Sequence, residues 1–373
     1  MRILLISLQG IGNTILTTPA IKYLYQQGNT LDAVISDNGS NRIVESSEML
    51  RNVYIYKEKE GVIKNSLRLK RMIDCNNYEV VYAMYPNGKR ENFLSFWLGR
   101  KNKGGSKDRT AYWRTLRFLI REKVKLYKEE HDIQGNLRLV GAPPEWQDCR
   151  PVVIVPAEIE RDIEKLYPSQ NKDIMLVLHP SSGKTEKRLS TDSYGYIAKK
   201  LINNKDIKVI ITGSPLDEPI IESLIKNIGA GAEKYIHNDI LYAAGLIKRS
   251  DLFLGNDSSL AHIASAFKKP TIAIFGPTDY KRISPYGENS LVVRKGLQCS
   301  PCHSFENDYK LKCEHRFPCL SEMDREKIYQ ILSFVIDRIK RGENISDMDF
   351  GWGRDAYDFD TLWSGSIITI LHG

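Results

Sequence analysis

The chain has no run of eighteen or more apolar residues, so the sequence predicts no helix that crosses a membrane. It also lacks a secretory pattern at its start, because residues 1–7, MRILLIS, run straight into a glycine turn instead of a cleavage site; this predicts a cytoplasmic protein. Cysteine is scarce, six in 373 residues, which excludes a disulfide framework of the small secreted kind. Charge of one sign is only slightly in excess, with 54 Lys and Arg against 46 Asp and Glu, a net +8. Such a balance suits an acidic partner, a phosphorylated substrate or an anionic lipid surface, and no recognisable nucleic-acid module accompanies it. Solenoid repeats are absent. What remains is an ordinary soluble composition, 42% hydrophobic and 27% charged, in a chain too long for one core and suited to two domains.

Residues 251–278, DLFLGNDSSLAHIASAFKKPTIAIFGPT, read as a buried strand, a polar turn, a short helix, a second buried strand and a second turn. Asp257 and Ser258 are placed to cap that helix and Pro270 to stop it. The small residues Ser258, Ser259 and Ala261 leave the first N–H groups of the helix uncovered, and these donors with the helix dipole favour a phosphate or diphosphate. The alternative is an ordinary capped turn with His262 simply packed.

The first stretch repeats the logic. Residues 2–8 form an apolar strand, 9–12 a glycine turn and 14–25 a helix, a βα unit of the kind found in parallel sheets. Gly10 and Gly12 let a ligand approach the backbone, but Ile15 stands where a third glycine would complete a dinucleotide fingerprint, which makes a nicotinamide-dependent reading improbable. Residues 31–36 and 79–85 read as further strands. Residues 100–128 carry eleven Lys or Arg in twenty-nine positions, with Trp113, Leu116, Leu119 and Ile120 at helical spacing. That pattern predicts a basic amphipathic helix, either a solvated cover for the sheet or a surface for a phosphorylated acceptor or anionic headgroups.

Proline density over 141–156 marks a boundary. The expected organisation is an N-terminal domain at 1–145, a linker at 146–172, a C-terminal domain at 173–342 and an extension at 343–373 whose role the sequence does not give. Strands are expected at 174–180, 208–214, 251–256, 271–277 and 290–295. The loop after the first of them, PSSGKTEKRLS, puts Lys184, Lys187 and Arg188 beside small hydroxyls. In the loop after the second, Asp217 or Glu218 can accept from ribose hydroxyls or favour the next helix N-terminus.

Cys299, Cys302, Cys313 and Cys319, with His303 and His315 interleaved, open with C-x2-C. In a cytosolic chain this favours a tetrahedral metal, zinc or iron, in a structural role; free thiols are the alternative. Residues 323–342 read as an amphipathic helix, and the acidic, aromatic tail beyond carries one more candidate strand, IITIL.

GIGNTILTTPAI, HPSSGKTEKRLS, GSPLDE and GNDSSLAHIASAFKKPTIAIFGPT, in that order and spacing, resemble glycosyltransferase family 9, the ADP-heptose lipopolysaccharide heptosyltransferases. The resemblance covers residues 1–335. It implies the α/β GT-B fold, two Rossmann-like domains facing each other across a cleft, and inverting, metal-independent transfer of heptose from ADP-heptose to a lipopolysaccharide core or related envelope glycan. The partners it implies are a nucleotide diphosphate sugar and a glycolipid or glycan acceptor; nucleic acid is not expected, because no such module accompanies the charge, and peripheral contact with an anionic membrane at the inner face of the cytoplasmic membrane stays open from the basic segment. Carried over residue by residue, it makes Asp257, Ser258 and Ser259 the diphosphate turn with His262 behind it. Lys187 becomes the catalytic lysine that neutralises the leaving diphosphate, Ser181 and Ser182 the hydroxyl pair near the phosphates, and Asp217 or Glu218 the ribose acceptor. Some relatives that glycosylate autotransporter proteins bind iron through a finger like the cysteine cluster.

Two departures matter. The family has Asp, held to be the catalytic base, where this chain has Asn13, and an amide cannot take the acceptor's proton. Ser259 stands where glycine is common and narrows the turn. The alternatives are therefore the same fold with another nucleotide sugar or a protein hydroxyl acceptor, or a catalytically impaired nucleotide-sugar-binding relative.

Overall fold

The computed structural model describes residues 1–74, 77–106, 115–128, 130–168, 173–205, 207–302, 313–343, 357–358 and 366–371. Trp113 and His303, singled out above, lie outside them, as does most of the tail. The chain forms two compact units, Met1–Ile154 and Val155–Gly373.

The first unit runs β1 (Arg2–Ser7), α1 (Ile11–Gln26), β2 (Thr30–Ser36), α2 (Ser40–Glu45), β3 (Asn52–Tyr56), α3 (Gly61–Met72), β4 (Val80–Ala83), α4 (Lys89–Leu98), β5 (Asn102–Ser106), β6 (Glu122–Lys125) and α5 (Asp132–Leu139). Its six strands are parallel in the order β3-β2-β1-β4-β5-β6. Helices cover both faces, which is why β1 is an unbroken apolar run and not an alternating one. Leu69 and Ile73 at the end of α3, with Leu94 and Leu98 of α4, close one face over Leu4, Ile6 and Val81. Strand order reverses between β1 and β4, and a doubly wound sheet opens its ligand crevice at the carboxyl ends of the strands at such a point.

Two expectations need correction in this unit. Helix α1 begins at Ile11, so Gly12 lies in its first turn and not in a loop. It also contains Pro19, whose missing N–H leaves the Ile15 carbonyl free; the Thr18 hydroxyl donates to that carbonyl at 2.7 Å and keeps the helix intact. The basic segment 100–128 is not one helix. Its described residues form β5, a single 3₁₀ turn at Arg117–Leu119 and β6. The reason is in Gly104 and Gly105. A β-carbon on Gly105 would lie 2.5 Å from Leu126, and one on Gly104 would lie 3.1 Å from Ile120, so the glycines let the chain fold back tightly on itself. Strands β3, β5 and β6 were not expected from the sequence.

The second unit runs α6 (Ala157–Leu166), β7 (Ile174–His179), α7 (Thr191–Lys205), β8 (Ile207–Gly213), α8 (Glu218–Ile228), β9 (Ala232–Ile236), α9 (Ile240–Arg249), β10 (Leu252–Asn256), α10 (Ser259–Ala266), β11 (Thr271–Phe275), α11 (Tyr280–Ile283), β12 (Ser290–Lys295), α12 (Pro318–Ser321), α13 (Arg325–Lys340), β13 (Tyr357–Asp358) and β14 (Ser366–Leu371). The sheet order is β13-β14-β12-β11-β10-β7-β8-β9, parallel except for the β13 pairing. IITIL is thus a strand, and β9, an exposed edge strand, is an addition to the sequence reading. Here the order reverses between β7 and β10. The core joins Leu176 and Leu178 of β7, Leu254 of β10 and Ile274 of β11 to Ile328, Leu332 and Ile336 of α13. Among the described residues no helix is long and apolar enough to cross a membrane.

Candidate functional site

The carboxyl ends of β7 and β10 are stitched together by Asn256, the last residue of β10. Its buried amide donates to the Pro180 carbonyl at 2.8 Å, while its oxygen accepts from the Leu189 N–H and the Tyr194 hydroxyl, both at 2.9 Å. These bonds fix the loop 180–189 against the turn that starts α10. The Ser182 hydroxyl donates to the Asp257 carbonyl, and Arg188 donates through Nε and Nη2 to the Ser182 carbonyl.

Within that frame Lys187 meets Asp257. The ammonium lies 2.6 Å from the carboxylate, with 16% of the Lys187 side chain and 6% of Asp257 exposed. Burial pushes the Asp257 carboxyl up, but the Lys187 charge and hydrogen bond, with Thr278 and His262 alongside, bring it to a net value below the usual range. The carboxylate is therefore ionised. His262 faces the same cluster from α10, and burial drives its pKa down to about 4, so its ring is neutral at pH 7. Its Nδ1 has no hydrogen-bond partner, nor has the Ser258 hydroxyl.

This arrangement corrects the expected capping. Neither Asp257 nor Ser258 caps α10 with its side chain, because Asp257 is turned to Lys187 and Ser258 Oγ bonds nothing. The helix ends at Ala266, with Lys268 at φ +57°, before Pro270 is reached. The N-terminus of α10 is consequently bare, with Ser258 and Ser259 only half-buried over it.

A third strand end joins the group. Ser181 donates to Asp217 at 2.5 Å, and the Ser214 N–H and hydroxyl donate to its other oxygen at 2.9 and 2.7 Å. Burial opposes charge on Asp217, but these donors hold its carboxyl below the ordinary value. Glu218 is separate from this cluster and pairs with the exposed Lys234 at 3.1 Å. His179, buried at the end of β7, donates through Nδ1 to the Thr212 carbonyl at 2.9 Å, and burial lowers its pKa.

The matching edge of the first unit is built differently. Gly10 precedes α1 without a side-chain cap, and a β-carbon there would meet nothing within 4 Å, so its backbone is open to approach. Asn13 is half-buried and its side chain makes no hydrogen bond among the described residues. The sequence reading missed Gln9 and Glu91. Gln9 donates to Glu91 at 2.7 Å, and the Gly88 N–H donates to the other carboxylate oxygen at 2.9 Å, tying the exits of β1 and β4 together. Burial raises the Glu91 pKa despite these bonds. The signal was available: Glu91 lies three residues after Gly88, the spacing of a capping box.

Of the cysteines, Cys299 is exposed, Cys302 and Cys313 are half-buried and Cys319 is buried, all as free thiols. Burial, then the neighbouring thiols, raise Cys302 and push Cys319 up to about 11. The Cys302 thiol donates to the Cys299 carbonyl, and Cys313 accepts from the Phe317 N–H. Among the described residues no three His, Cys, Asp or Glu side chains form a metal-holding group, and His303 and the segment up to Cys313 lie outside those residues.

The sequence model of glycosyltransferase family 9 (heptosyltransferase) matches residues 66–312. The chain belongs to that family. Lipooligosaccharide heptosyltransferase 2 of Campylobacter jejuni is 28% identical over 163 residues, 43% of this chain and 40% of that relative, so the match spans less than half of the relative's length. Lipopolysaccharide heptosyltransferase 1 of Campylobacter coli is 21% identical over 350 residues, covering 89% of this chain and 98% of the relative. Two solved structures share the fold: a family 9 glycosyl transferase from Veillonella parvula (TM-score 0.74, 17% identity, 90% and 97% of the two chains) and the E. coli ADP-heptose lps heptosyltransferase II (TM-score 0.70, 15% identity, 91% and 100%). The architecture is thus the two Rossmann-like units of the GT-B class.

Proposed function

We propose that this protein is an inverting glycosyltransferase that moves a heptose from ADP-heptose to a hydroxyl of a lipopolysaccharide core or related envelope glycan. The observation that carries the reading is the α10 N-terminus. A bare helix start, a half-buried ammonium and two unpartnered polar atoms, Ser258 Oγ and His262 Nδ1, converge where a diphosphate would sit. Heptosyl transfer forms a bond from the acceptor oxygen to the anomeric carbon and breaks the bond to the diphosphate, which leaves with negative charge, while the acceptor's proton is lost to solvent because the Asn13 amide cannot take it. Lys187 and the α10 dipole stabilise that charge, and Asp257 holds Lys187 desolvated and aimed at the turn. Asp217 is the better ribose acceptor, since it is fixed beside Ser181 while Glu218 is held by Lys234. The first unit binds the acceptor, with Asn13 orienting its hydroxyl beside Gly10 and Gly12. Catalysis in this scheme calls on no metal, and the cysteine cluster has no part in it. ADP-heptose is favoured as donor because the E. coli structure that shares the fold is an ADP-heptose enzyme.

A second reading, a nucleotide-sugar-binding relative with impaired turnover, is favoured by one observation: position 13 holds an amide where a base is required.

The test is thermal unfolding of the purified chain with ADP, ADP-heptose, UDP, GDP and NAD. A ligand at a hundred times its dissociation constant adds about 2.7 kcal/mol to the folded state. Stabilisation by ADP and ADP-heptose alone is the expected result. Stabilisation by UDP or GDP alone would keep the fold and discard the donor, and no response to any of them would overturn the reading.

A further inference from the structure

At the amino edge of the first unit's sheet, opposite the strand ends described above, α3 and α4 finish side by side before β4 and β5 begin. Between them lies an open cleft of about 600 Å³. Four cations line it, Lys70, Arg71, Arg100 and Arg121, against a single carboxylate, Asp74. Two of the cations rest on aromatic rings: the Lys70 ammonium is 4.4 Å from the centre of Trp97, and the Arg121 guanidinium 5.8 Å from that of Phe96. Arg71 and Arg100 have no ion pair or hydrogen bond among the described residues.

The same face is apolar in a way that burial does not explain. Ile63, Leu67 and Met72 on α3 and Phe96 on α4 are 40% to 76% exposed. Ile63, Leu67 and Arg71 are spaced four apart, so they form one stripe along α3 that runs into the cleft. Large apolar side chains standing clear of a ring of cations match the boundary between headgroups and acyl chains, where aliphatic tips enter the bilayer and basic heads meet phosphate. An acidic protein or a nucleic acid would satisfy the charges but would leave the aliphatic stripe in water.

We propose that the α3–α4 face docks this protein on an anionic lipid bilayer. The contact is peripheral, since no described helix can span. It also differs from the surface expected over residues 100–128, because only Arg100 and Arg121 of that segment belong to the cleft. Docking at the amino edge leaves the carboxyl ends of β1 and β4 free for the acceptor.

The experiment is co-sedimentation of the full chain with phosphatidylcholine vesicles, with and without phosphatidylglycerol. It reads binding and not transfer, so it stands whether or not the proposed reaction does. The parent should sediment only with the phosphatidylglycerol vesicles, and less so as salt rises. Each basic residue near an anionic surface is worth about 1 kcal/mol, roughly fivefold, so the double variant Arg71→Glu/Arg100→Glu should lose more than about twentyfold. Ile63→Ser/Leu67→Ser should lose about tenfold with little change in melting temperature, both side chains being exposed. Lys199→Glu/Lys226→Glu, on α7 and α8 of the second unit, makes the same change in net charge and should bind nearly as the parent does. Equal loss in that control would reduce the effect to overall charge and overturn the assignment. So would sedimentation with neither vesicle, or inorganic phosphate stabilising the parent but not the arginine variant while vesicles fail to bind, which would make the cleft a site for a soluble anion.

Discussion

The strand ends where each sheet reverses its order follow one plan and carry opposite chemistry. Both start a helix without a side-chain cap, α1 after Gly10 and α10 after Ser258. In the second unit the loops are pinned through Asn256, and an ion pair and a neutral histidine are buried behind them. The first unit has a lighter tie, Gln9 to Glu91, and an unbonded amide at Asn13. Fixed charge in a pinned, desolvated frame stabilises an anion without reorganising when it forms. An edge with no ionisable group at the reacting position can orient a hydroxyl but cannot take its proton. In the proposed reaction this difference assigns leaving-group chemistry to the second unit and makes proton removal the weakest step.

Lys187→Met should break this comparison with the largest effect. It removes the cation from the pinned edge, and turnover should fall by roughly 10² to 10³-fold, the cost of losing one donor aimed at developing charge. It also strands the Asp257 carboxylate, at a cost on the order of 3–5 kcal/mol in stability. Lys187→Met/Asp257→Asn should recover much of that stability without recovering turnover, because the buried charge is gone but so is the cation. Melting curves and single-turnover rates on the three proteins separate the two effects. A Lys187→Met enzyme within a few-fold of the parent would mean the helix dipole suffices.

Asn13→Asp sharpens the other side. Restoring a carboxylate at the open edge should raise turnover by up to about 10²-fold and give the rate an acid limb that the parent lacks. Stabilisation by ADP should not change, since that nucleotide is assigned to the other unit. An unchanged rate would show that the proton already leaves by another group.

Which parts were legible in the sequence follows from what sets them. Buried parallel strands such as β1, β7, β10 and β11 are read directly because both faces are covered and the apolar run is continuous. Strands β5 and β6 were not, because NKGGS and EKVK have no apolar period and owe their place to Gly105 packing on Leu126 and to pairing with β4. The polar turns were legible as residue types at strand ends. Their partners were not: Lys187 and Asp257 are seventy residues apart, and their contact depends on β7 lying beside β10. The same holds for Gln9 and Glu91, where local spacing shows the cap and only the β1–β4 pairing shows the tie. That long-range choice also explains the capping error, since a carboxylate next to a helix start caps it unless a stronger cation is brought in from elsewhere.

Near neutral pH the smallest and most discriminating effect is in acid titration, because the two edges should respond with opposite sign. His262 titrates near 6.5 when unfolded but only at about 4 when folded, burial being the main cause. Between those values the unfolded chain holds more protons, so stability falls as pH drops from 6.5 to 4, by on the order of 3 kcal/mol across the window. Asp257 adds a second loss at lower pH, below its ordinary 3.8, because its folded pKa is depressed. Glu91 works the other way. Its folded pKa is raised above 4.5, so the folded state takes up its proton first and gains stability as pH falls through that raised value. Thermal unfolding followed from pH 7 to pH 4 should therefore show a decline that His262→Gln flattens and Glu91→Gln steepens. If His262→Gln left the decline as it was, the ring would already be charged or solvated, and the neutral, unpartnered histidine behind the α10 turn would lose its place in the anion site.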